Sequence, residues 1–337
     1  MNATTSRFSL QILIALIVLA GANVLIARMA KNSVPRQLIR QIDAHPDATF
    51  LASGNSLVAA AFDEEQFHTA WNAAPPPGGE NVQPLNIALG ATESVEQLLL
   101  LRHAFAVDHS ANVIVYGFFD LQLTKHLTGG WNDLTGNRAM SYYVEPYFAA
   151  DVYAPESRLQ LIQVGLVSHV PMLVERLTLW SKVEKMRRKM EEIGMPPVKT
   201  NEFGRAGDFK AMETDLASFK KSCVDCATDN LDLTPSVALM IEAAKSRNAT
   251  FVFVEMPMQS QHRKLYYDTP EWKAYEDHIK AISEQKGVLF VNASDWLPDD
   301  HFADDLHAGP EGAVDFSKRL AEVLKPMLQD GRGVPPG

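Results

Sequence analysis

Short apolar runs alternate with longer amphipathic segments along most of the chain beyond residue 45. The five apolar runs, each followed by Gly, Ser, Glu or Asn, lie at 48–52, 85–89, 113–116, 251–254 and 288–291. Segments of helical length and period lie at 57–71, 94–108, 236–247, 271–286 and 311–328. Apolar runs of this length are typical of buried parallel strands. The alternation therefore predicts an α/β fold with a doubly wound, mostly parallel five-stranded sheet, in which functional residues follow the carboxyl ends of the strands.

The interval 121–235 breaks this alternation. It has no clear strand pattern, a loop rich in Trp, Tyr and Gly at 129–148, and an amphipathic segment at about 156–193. We interpret it as an insertion, predominantly helical, that packs over or beside the functional site. The sequence thus predicts an N-terminal segment at 1–30, a core formed by 45–120 and 236–330, and the insertion at 121–235.

The N-terminal run from Phe8 to Ala27 contains 20 residues and no charge. At a rise of about 1.5 Å per residue, a helix of this length spans the roughly 30 Å hydrocarbon core of a bilayer. A cleaved signal peptide is the alternative, because Ala20-Gly21-Ala22 has the small-x-small form of a cleavage site. The apolar run continues beyond that point, so we favour a membrane anchor over a cleaved signal and over a buried helix of a soluble protein.

The charge of the chain is uneven. The formal net charge is −10, yet residues 1–40 hold five basic residues and no acidic one, which leaves 26 basic and 41 acidic residues beyond them. An acidic domain of this kind argues against a nucleic-acid partner. Four of the basic residues follow the apolar run, and a positive-inside count would place the large domain in the cytoplasm. Those residues are Arg28, Lys31, Arg36 and Arg40.

Two short motifs carry residues suited to nucleophilic catalysis. The first, Ala52-Ser53-Gly54-Asn55-Ser56-Leu57, places Ser56 at a turn between the first apolar run and a helical segment. The second, Asp304-Asp305-Leu306-His307, lies between the last apolar run and the last helical segment. Alone, Ser56 is typical of a helix N-cap and the Asp/His pair is typical of a solvated loop. Their joint placement predicts a nucleophile, a base and the carboxylate that orients the base.

In these motifs the chain resembles the SGNH (GDSL-like) hydrolases, and among them the membrane-anchored branch of DltD-like and exopolysaccharide O-acetylation proteins. The resemblance covers about 48–120 and 236–328 and implies a flavodoxin-like fold. It implies Ser56 as the nucleophile, His307 as the general base and Asp304 as the carboxylate that orients His307. The backbone amides of Ser56 and Gly90 would form the oxyanion hole. The resemblance implies no metal and no other cofactor.

Two positions depart from the family pattern. Asn55 stands where the first family block has Asp, and Phe119 stands in the Asn position of Gly117-Phe118-Phe119-Asp120. That Asn donates to the oxyanion in the family, and the loss of one such donor typically costs about 10²–10³ in rate. Asn55 and Thr92 are the candidate substitutes. If neither serves, Phe119→Asn should raise a measured esterase rate by up to about 10²–10³.

The resemblance implies a catalytic domain held at the outer face of the cytoplasmic membrane. There the protein would transfer acyl groups, with acetyl as the expected one, to a polysaccharide or another envelope polymer, or remove them. A multi-span membrane O-acyltransferase would supply the acyl groups. This orientation opposes the positive-inside count, and the basic residues after the anchor would then face anionic lipid headgroups. The alternative is a catalytically weak or inactive subunit that binds a polymer or the acyltransferase, which the Phe119 departure favours.

The chain has two cysteines, too few for a disulfide scaffold. Cys223 and Cys226 have the spacing of redox and metal motifs, but no strand pattern precedes them and no second ligand pair accompanies them. A local disulfide or a pair of inert thiols is the favoured interpretation.

Overall fold

The computed structural model divides the chain into two compact units. The first comprises Met1–Gln41 and Thr128–Pro197, and the second comprises Ile42–Leu127 and Val198–Gly337. The structure describes residues 3–31, 33–73, 81–90, 92–107, 110–124, 170–175 and 216–329, together with residues 158, 159, 162, 200, 201, 204 and 205. The predicted loop at 129–148 and most of the amphipathic segment at 156–193 lie outside the described residues.

Five parallel strands form the central sheet of the second unit. They are β1 (Phe50–Gly54), β2 (Pro84–Asn86), β3 (Val113–Phe118), β6 (Thr250–Glu255) and β7 (Leu289–Asn292), while β4 (Thr200–Asn201) and β5 (Gly204–Arg205) form a separate antiparallel pair. The sheet order is β2-β1-β3-β6-β7. Every residue of β1 and β3 is buried, as expected for strands that helices cover on both faces. The predicted α/β fold with a doubly wound parallel sheet is confirmed.

Eleven helices have defined bounds within the described residues. They are α1 (Ala3–Ala30), α2 (Val34–Ala44), α3 (Ser56–Ala61), α4 (Glu64–Asn72), α5 (Ser94–Ala106), α6 (Pro171–Val174), α7 (Leu216–Thr228), α8 (Pro235–Lys245), α9 (Ser260–Tyr266), α10 (Pro270–Gln285) and α11 (Pro310–Gln329). The predicted single helix at 57–71 is wrong, because Phe62 takes an extended conformation and Asp63 starts a second helix. The Asp63 side chain accepts a hydrogen bond from the Gln66 N–H at 3.0 Å, as an N-cap does.

The chain reverses its direction across the sheet at β1. It passes from β1 to β2 on one side, and then crosses to β3 on the other side and continues outward to β6 and β7. Because such crossovers are right-handed, α3 and α4 cover one face, while α5, α8 and α10 cover the other. The last helix, α11, packs against α3 and α4. The carboxyl ends of β1 and β3 therefore form the switch point, which is where ligands bind in sheets of this kind.

Helix α7 belongs to the second unit although it lies in the predicted insertion. It packs along α10, and the Phe219 ring stacks on the Trp272 ring at 5.8 Å between centroids. Cys223 and Cys226 are buried on this helix as free thiols. The thiols therefore contribute to the packing of α7, which agrees with the interpretation of two inert thiols rather than a disulfide.

The first unit contains the apolar N-terminal helix. Its stretch Ser9–Ala30 has a mean hydropathy of 2.5 and its 18-residue apolar window holds no buried residue, so this helix is long and apolar enough to span a membrane or to act as a signal sequence. Near its end, the Asn23 side chain accepts a hydrogen bond from the Met172 N–H at 2.9 Å. Arg36 forms an ion pair with the buried Glu175 at 3.5 Å. These contacts join two distant segments of the chain within this unit.

Candidate active site

A tight turn after β1 brings Ser56 to the switch point of the sheet. Gly54 has φ +149°, and a Cβ at this position would lie 2.5 Å from a Val58 methyl and 2.7 Å from the Gly117 carbonyl oxygen. Only glycine fits this approach between β1, β3 and α3. Asn55 caps α3 by accepting a hydrogen bond from the Leu57 N–H at 2.9 Å. Ser56 is therefore the first residue of α3.

The Asp304 carboxylate shapes the loop that carries His307. Its Oδ1 accepts hydrogen bonds from the N–H groups of Leu306 at 2.9 Å and of His307 at 2.7 Å. The imidazole Nδ1 lies 2.9 Å from Oδ2 and 3.0 Å from Oδ1 of the same carboxylate. Both side chains are largely buried, with exposed fractions of 11% for His307 and 10% for Asp304. A buried carboxylate at this position fixes the ring with a proton on Nδ1.

The opposite nitrogen of the ring reaches the serine. His307 Nε2 lies 2.9 Å from the Ser56 Oγ, although 251 residues of chain separate the two. Because Nδ1 carries the proton, Nε2 is free to accept the hydroxyl proton of Ser56. The structure thus brings Ser56, His307 and Asp304 into one hydrogen-bonded chain. This arrangement is able to generate an alkoxide-like nucleophile at Ser56.

Gly90 lies beside the serine because backbone pairing continues beyond β2. The N–H groups of Ile87 and Leu89 donate to the carbonyls of Ala52 at 2.8 Å and Gly54 at 3.1 Å. A Cβ on Gly90 would lie 3.6 Å from the Ser56 Cβ, so the Gly90 backbone borders the nucleophile. The backbones of Gly90 and Ser56 therefore line the same side of the site.

The two residues predicted as accessory donors have other partners. The Thr92 hydroxyl donates to the Leu89 carbonyl at 2.5 Å and accepts from the Gln97 side chain at 2.9 Å. Its proton is therefore directed into the loop and away from a developing oxyanion. Asn55 donates through Nδ2 to the Gln122 Oε1 at 3.1 Å. Sequence reasoning did not single out Gln122, and its position three residues after Phe119 is the signal that could have indicated it.

The end of β3 explains why position 117 of Gly117-Phe118-Phe119-Asp120 is a glycine, whereas Phe119 lies beyond the strand. A Cβ on Gly117 would overlap the Val58 side chain and lie 2.6 Å from the Met256 Sδ. Phe118 is buried in the core against Phe253, with 6.1 Å between ring centroids. Phe119 follows the strand and is half-buried. An aromatic ring at this position supplies no N–H donor for an oxyanion.

A polar pocket lies at the carboxyl ends of β6 and β7 and has a volume of about 420 Å³. Glu255, Lys273, Glu276 and Asn292 are among its lining residues. The Trp272 indole N–H donates to the Glu255 Oε1 at 2.9 Å. Burial, followed by the nearby Glu276 carboxylate, raises the pKa of Glu255 to about 8. Glu255 therefore carries a proton at neutral pH.

Within the described residues, no group of three or more His, Cys, Asp or Glu side chains is arranged to hold a metal ion.

Two solved structures are similar to the chain in the overall path of the backbone. One is a candidate acylhydrolase of Bacteroides fragilis, with 10% sequence identity, a TM-score of 0.39, and coverage of 86% of this chain and 94% of that one. The other is TesA, with 12% identity, a TM-score of 0.36, and coverage of 83% of this chain and 98% of that one. No family profile and no curated protein matches the chain.

Proposed function

We propose that the protein is a serine esterase or O-acyltransferase that works through an acyl-enzyme on Ser56. The observation that carries the proposal is the hydrogen-bonded chain from Ser56 through His307 to Asp304, with 2.9 Å on each side of the imidazole. An Asp304/His307 pair that only stabilised a solvated loop would not be expected to place the imidazole at hydrogen-bond distance from Ser56, 251 positions away in the chain. The likeness of the motifs to those of SGNH hydrolases supports the same chemistry.

The reaction begins when Ser56 Oγ attacks the carbonyl carbon of an ester. The hydroxyl proton passes to His307 Nε2, and Asp304 stabilises the resulting imidazolium. The negative charge on the carbonyl oxygen would face the backbone N–H groups of Ser56 and Gly90. Collapse of the tetrahedral intermediate breaks the bond to the leaving alcohol, which takes the proton from His307. The acyl group then remains on Ser56.

A second attack resolves the acyl-enzyme and decides between the two activities. Water or an acceptor hydroxyl gives its proton to His307 and attacks the acyl carbon, and Ser56 regains its proton. Water as the acceptor gives hydrolysis, and a sugar hydroxyl gives O-acyl transfer. All other steps are shared, so the same residues serve both outcomes.

The proposed setting is the outer face of the cytoplasmic membrane, with a polysaccharide or another envelope polymer as substrate and acetyl as the acyl group. Two observations support it: the apolar stretch Ser9–Ala30 has the length of a membrane span, and the motifs resemble those of envelope O-acetylation proteins. A multi-span membrane O-acyltransferase is the proposed acyl donor.

A second candidate function follows from Phe119, which stands in a position where the related enzymes carry an oxyanion donor. With a weakened oxyanion hole, the protein would serve as a binding subunit for a polymer or for the acyltransferase. This candidate predicts a Ser56→Ala variant that is unchanged in every assay of the isolated protein.

Hydrolysis of p-nitrophenyl acetate separates the two candidates. We expect wild type to hydrolyse this ester and Ser56→Ala to lose the enzymatic rate. Ser110→Ala is the matched control, because Ser110 is exposed and takes part in the fold through its backbone. Equal rates for wild type and Ser56→Ala would refute the esterase proposal and favour the binding subunit.

A further inference from the structure

The two departures from the family pattern are linked by one side chain. Asn55 replaces an Asp and Phe119 replaces an Asn, and Asn55 is hydrogen-bonded to Gln122, three residues beyond Phe119. Gln122 is half-buried and follows the end of β3, the strand next to β1 in the sheet. A carboxamide is therefore present at the switch point although the Asn position holds a ring.

The hydrogen bonds around Asn55 determine which way the Gln122 carboxamide faces. The Leu57 N–H can only donate, so the Asn55 atom at 2.9 Å from it must be the oxygen. The other end of the Asn55 amide is then the NH₂ group, which donates to Gln122 at 3.1 Å. An NH₂ group needs an acceptor, so Gln122 presents Oε1 to Asn55. The Nε2 group of Gln122 is consequently turned away from Asn55.

The two N–H bonds of Gln122 Nε2 have no acceptor among the described residues. Nε2 is not among the buried side-chain atoms that lack a partner, so it reaches solvent, and a donor held in place by a hydrogen bond on its other end is already oriented. The residue that holds it, Asn55, directly precedes Ser56 in the turn. Gln122 therefore holds an oriented, solvent-accessible donor that its contact with Asn55 keeps close to the nucleophile turn.

We propose that Gln122 is a catalytic residue that donates an Nε2–H to the oxyanion, in place of the Asn that Phe119 replaces. Asn55 is a positioning residue, since it acts through Gln122. The inference rests on the proposed esterase function of Ser56. It gives the site three oxyanion donors: the Ser56 amide, the Gly90 amide and the Gln122 side chain.

The proposal also accounts for Asn in place of Asp at position 55. An Asp there would still accept from the Leu57 N–H and cap α3. It has no N–H to offer, however, so Gln122 would turn its Nε2 toward the Asp carboxylate. Gln122 Oε1 would then face the oxyanion and repel it. The two departures from the family pattern are therefore parts of one rearrangement.

The first test replaces Gln122 with Met, which has a similar length and shape but no donor. We expect kcat for p-nitrophenyl acetate to fall by about 10²–10³, with KM within about twofold of wild type, because the lost bond forms only in the transition state. Gln285→Met is the matched control, since Gln285 is exposed at the end of α10. A kcat of Gln122→Met within about threefold of wild type would overturn the role of Gln122.

The second test uses Asn55→Asp, which keeps the α3 cap and removes the donor to Gln122. We expect a loss of kcat similar to that of Gln122→Met, and no further loss when the two substitutions are combined. Additive losses would show that Asn55 acts without Gln122 and would overturn the positioning role. A wild-type rate equal to that of Ser56→Ala would refute the proposed function and the Gln122 role with it. A Ser56-dependent rate that Gln122→Met retains would refute the Gln122 role alone.

Discussion

Asp304→Asn is the substitution that most selectively disturbs the geometry of the site. The Asn Oδ1 can still accept from the Leu306 and His307 N–H groups, which lie 2.9 and 2.7 Å from the present oxygen. The loop conformation is thereby retained. The NH₂ group of the Asn then occupies the place of Oδ2, which lies 2.9 Å from the His307 Nδ1.

This exchange changes the tautomer of the histidine. A donor facing Nδ1 favours the ring with its proton on Nε2, and that nitrogen lies 2.9 Å from the Ser56 Oγ. Nε2–H cannot accept the hydroxyl proton. The equivalent substitution in a serine protease lowers kcat by about 10⁴, which corresponds to about 5.5 kcal/mol of barrier at 1.36 kcal/mol per tenfold. We expect a loss of about 10³–10⁴ here, because the 3.0 Å contact to Oδ1 preserves part of the original tautomer.

The assay is steady-state hydrolysis of p-nitrophenyl acetate, combined with thermal unfolding of the same preparations. Asp305→Asn is the matched control, because it removes a neighbouring carboxylate that has no hydrogen bond to His307 in the described structure. Asp304→Asn should unfold within a few degrees of wild type. Equal rates for Asp304→Asn and Asp305→Asn, with both proteins folded, would refute the assigned role of Asp304.

Three further outcomes are expected. As the pH rises from 4.5 to about 8, the free energy of unfolding of Glu255→Gln should increase relative to that of wild type by up to about 1.4 kcal/mol per pH unit. The reason is that the native wild-type carboxyl keeps a proton that the unfolded chain loses. If chemical unfolding gave the two proteins the same dependence of this free energy on pH, the expectation would be contradicted. Made in the wild-type protein, Phe119→Asn should change the esterase rate by less than about tenfold, whereas made in Gln122→Met it should raise the rate. A large gain in the wild-type protein would argue against Gln122 as an oxyanion donor. A reporter that functions only outside the cytoplasm, fused after Gly337, should be active; activity of a cytoplasmic reporter alone would refute the envelope setting.

The sequence predicts the sheet well because its strands are buried on both faces. The apolar runs that form β1, β3 and β6 are continuous, so they can be recognised without an alternation of apolar and polar residues. Each of them also lies next to a segment with a helical pattern. The break between α3 and α4 was missed because apolar residues continue through it. Its signal is local, since Asp63 is a standard N-cap residue with two glutamates after it.

The meeting of Ser56 and His307 follows from topology. Both residues come after the carboxyl ends of parallel strands, and parallel strands direct those ends to one edge of the sheet. Strand topology does not predict the contact of Asn55 with Gln122. It joins residues 67 positions apart through side-chain orientations that depend on the Leu57 N–H. Sequence patterns specify backbone elements better than they specify such side-chain pairs.

Labelling with a fluorophosphonate, followed by intact-mass measurement and peptide mapping, tests whether Ser56 is the nucleophile of the site. The reagent requires an activated serine and no knowledge of the natural acyl donor or acceptor. We expect wild type to gain one adduct per chain on Ser56, Ser56→Ala to gain none, and Ser110→Ala to label as wild type does. Absence of an adduct on Ser56 in folded wild type, or equal labelling of wild type and Ser56→Ala, would contradict the assignment of Ser56 as the nucleophile.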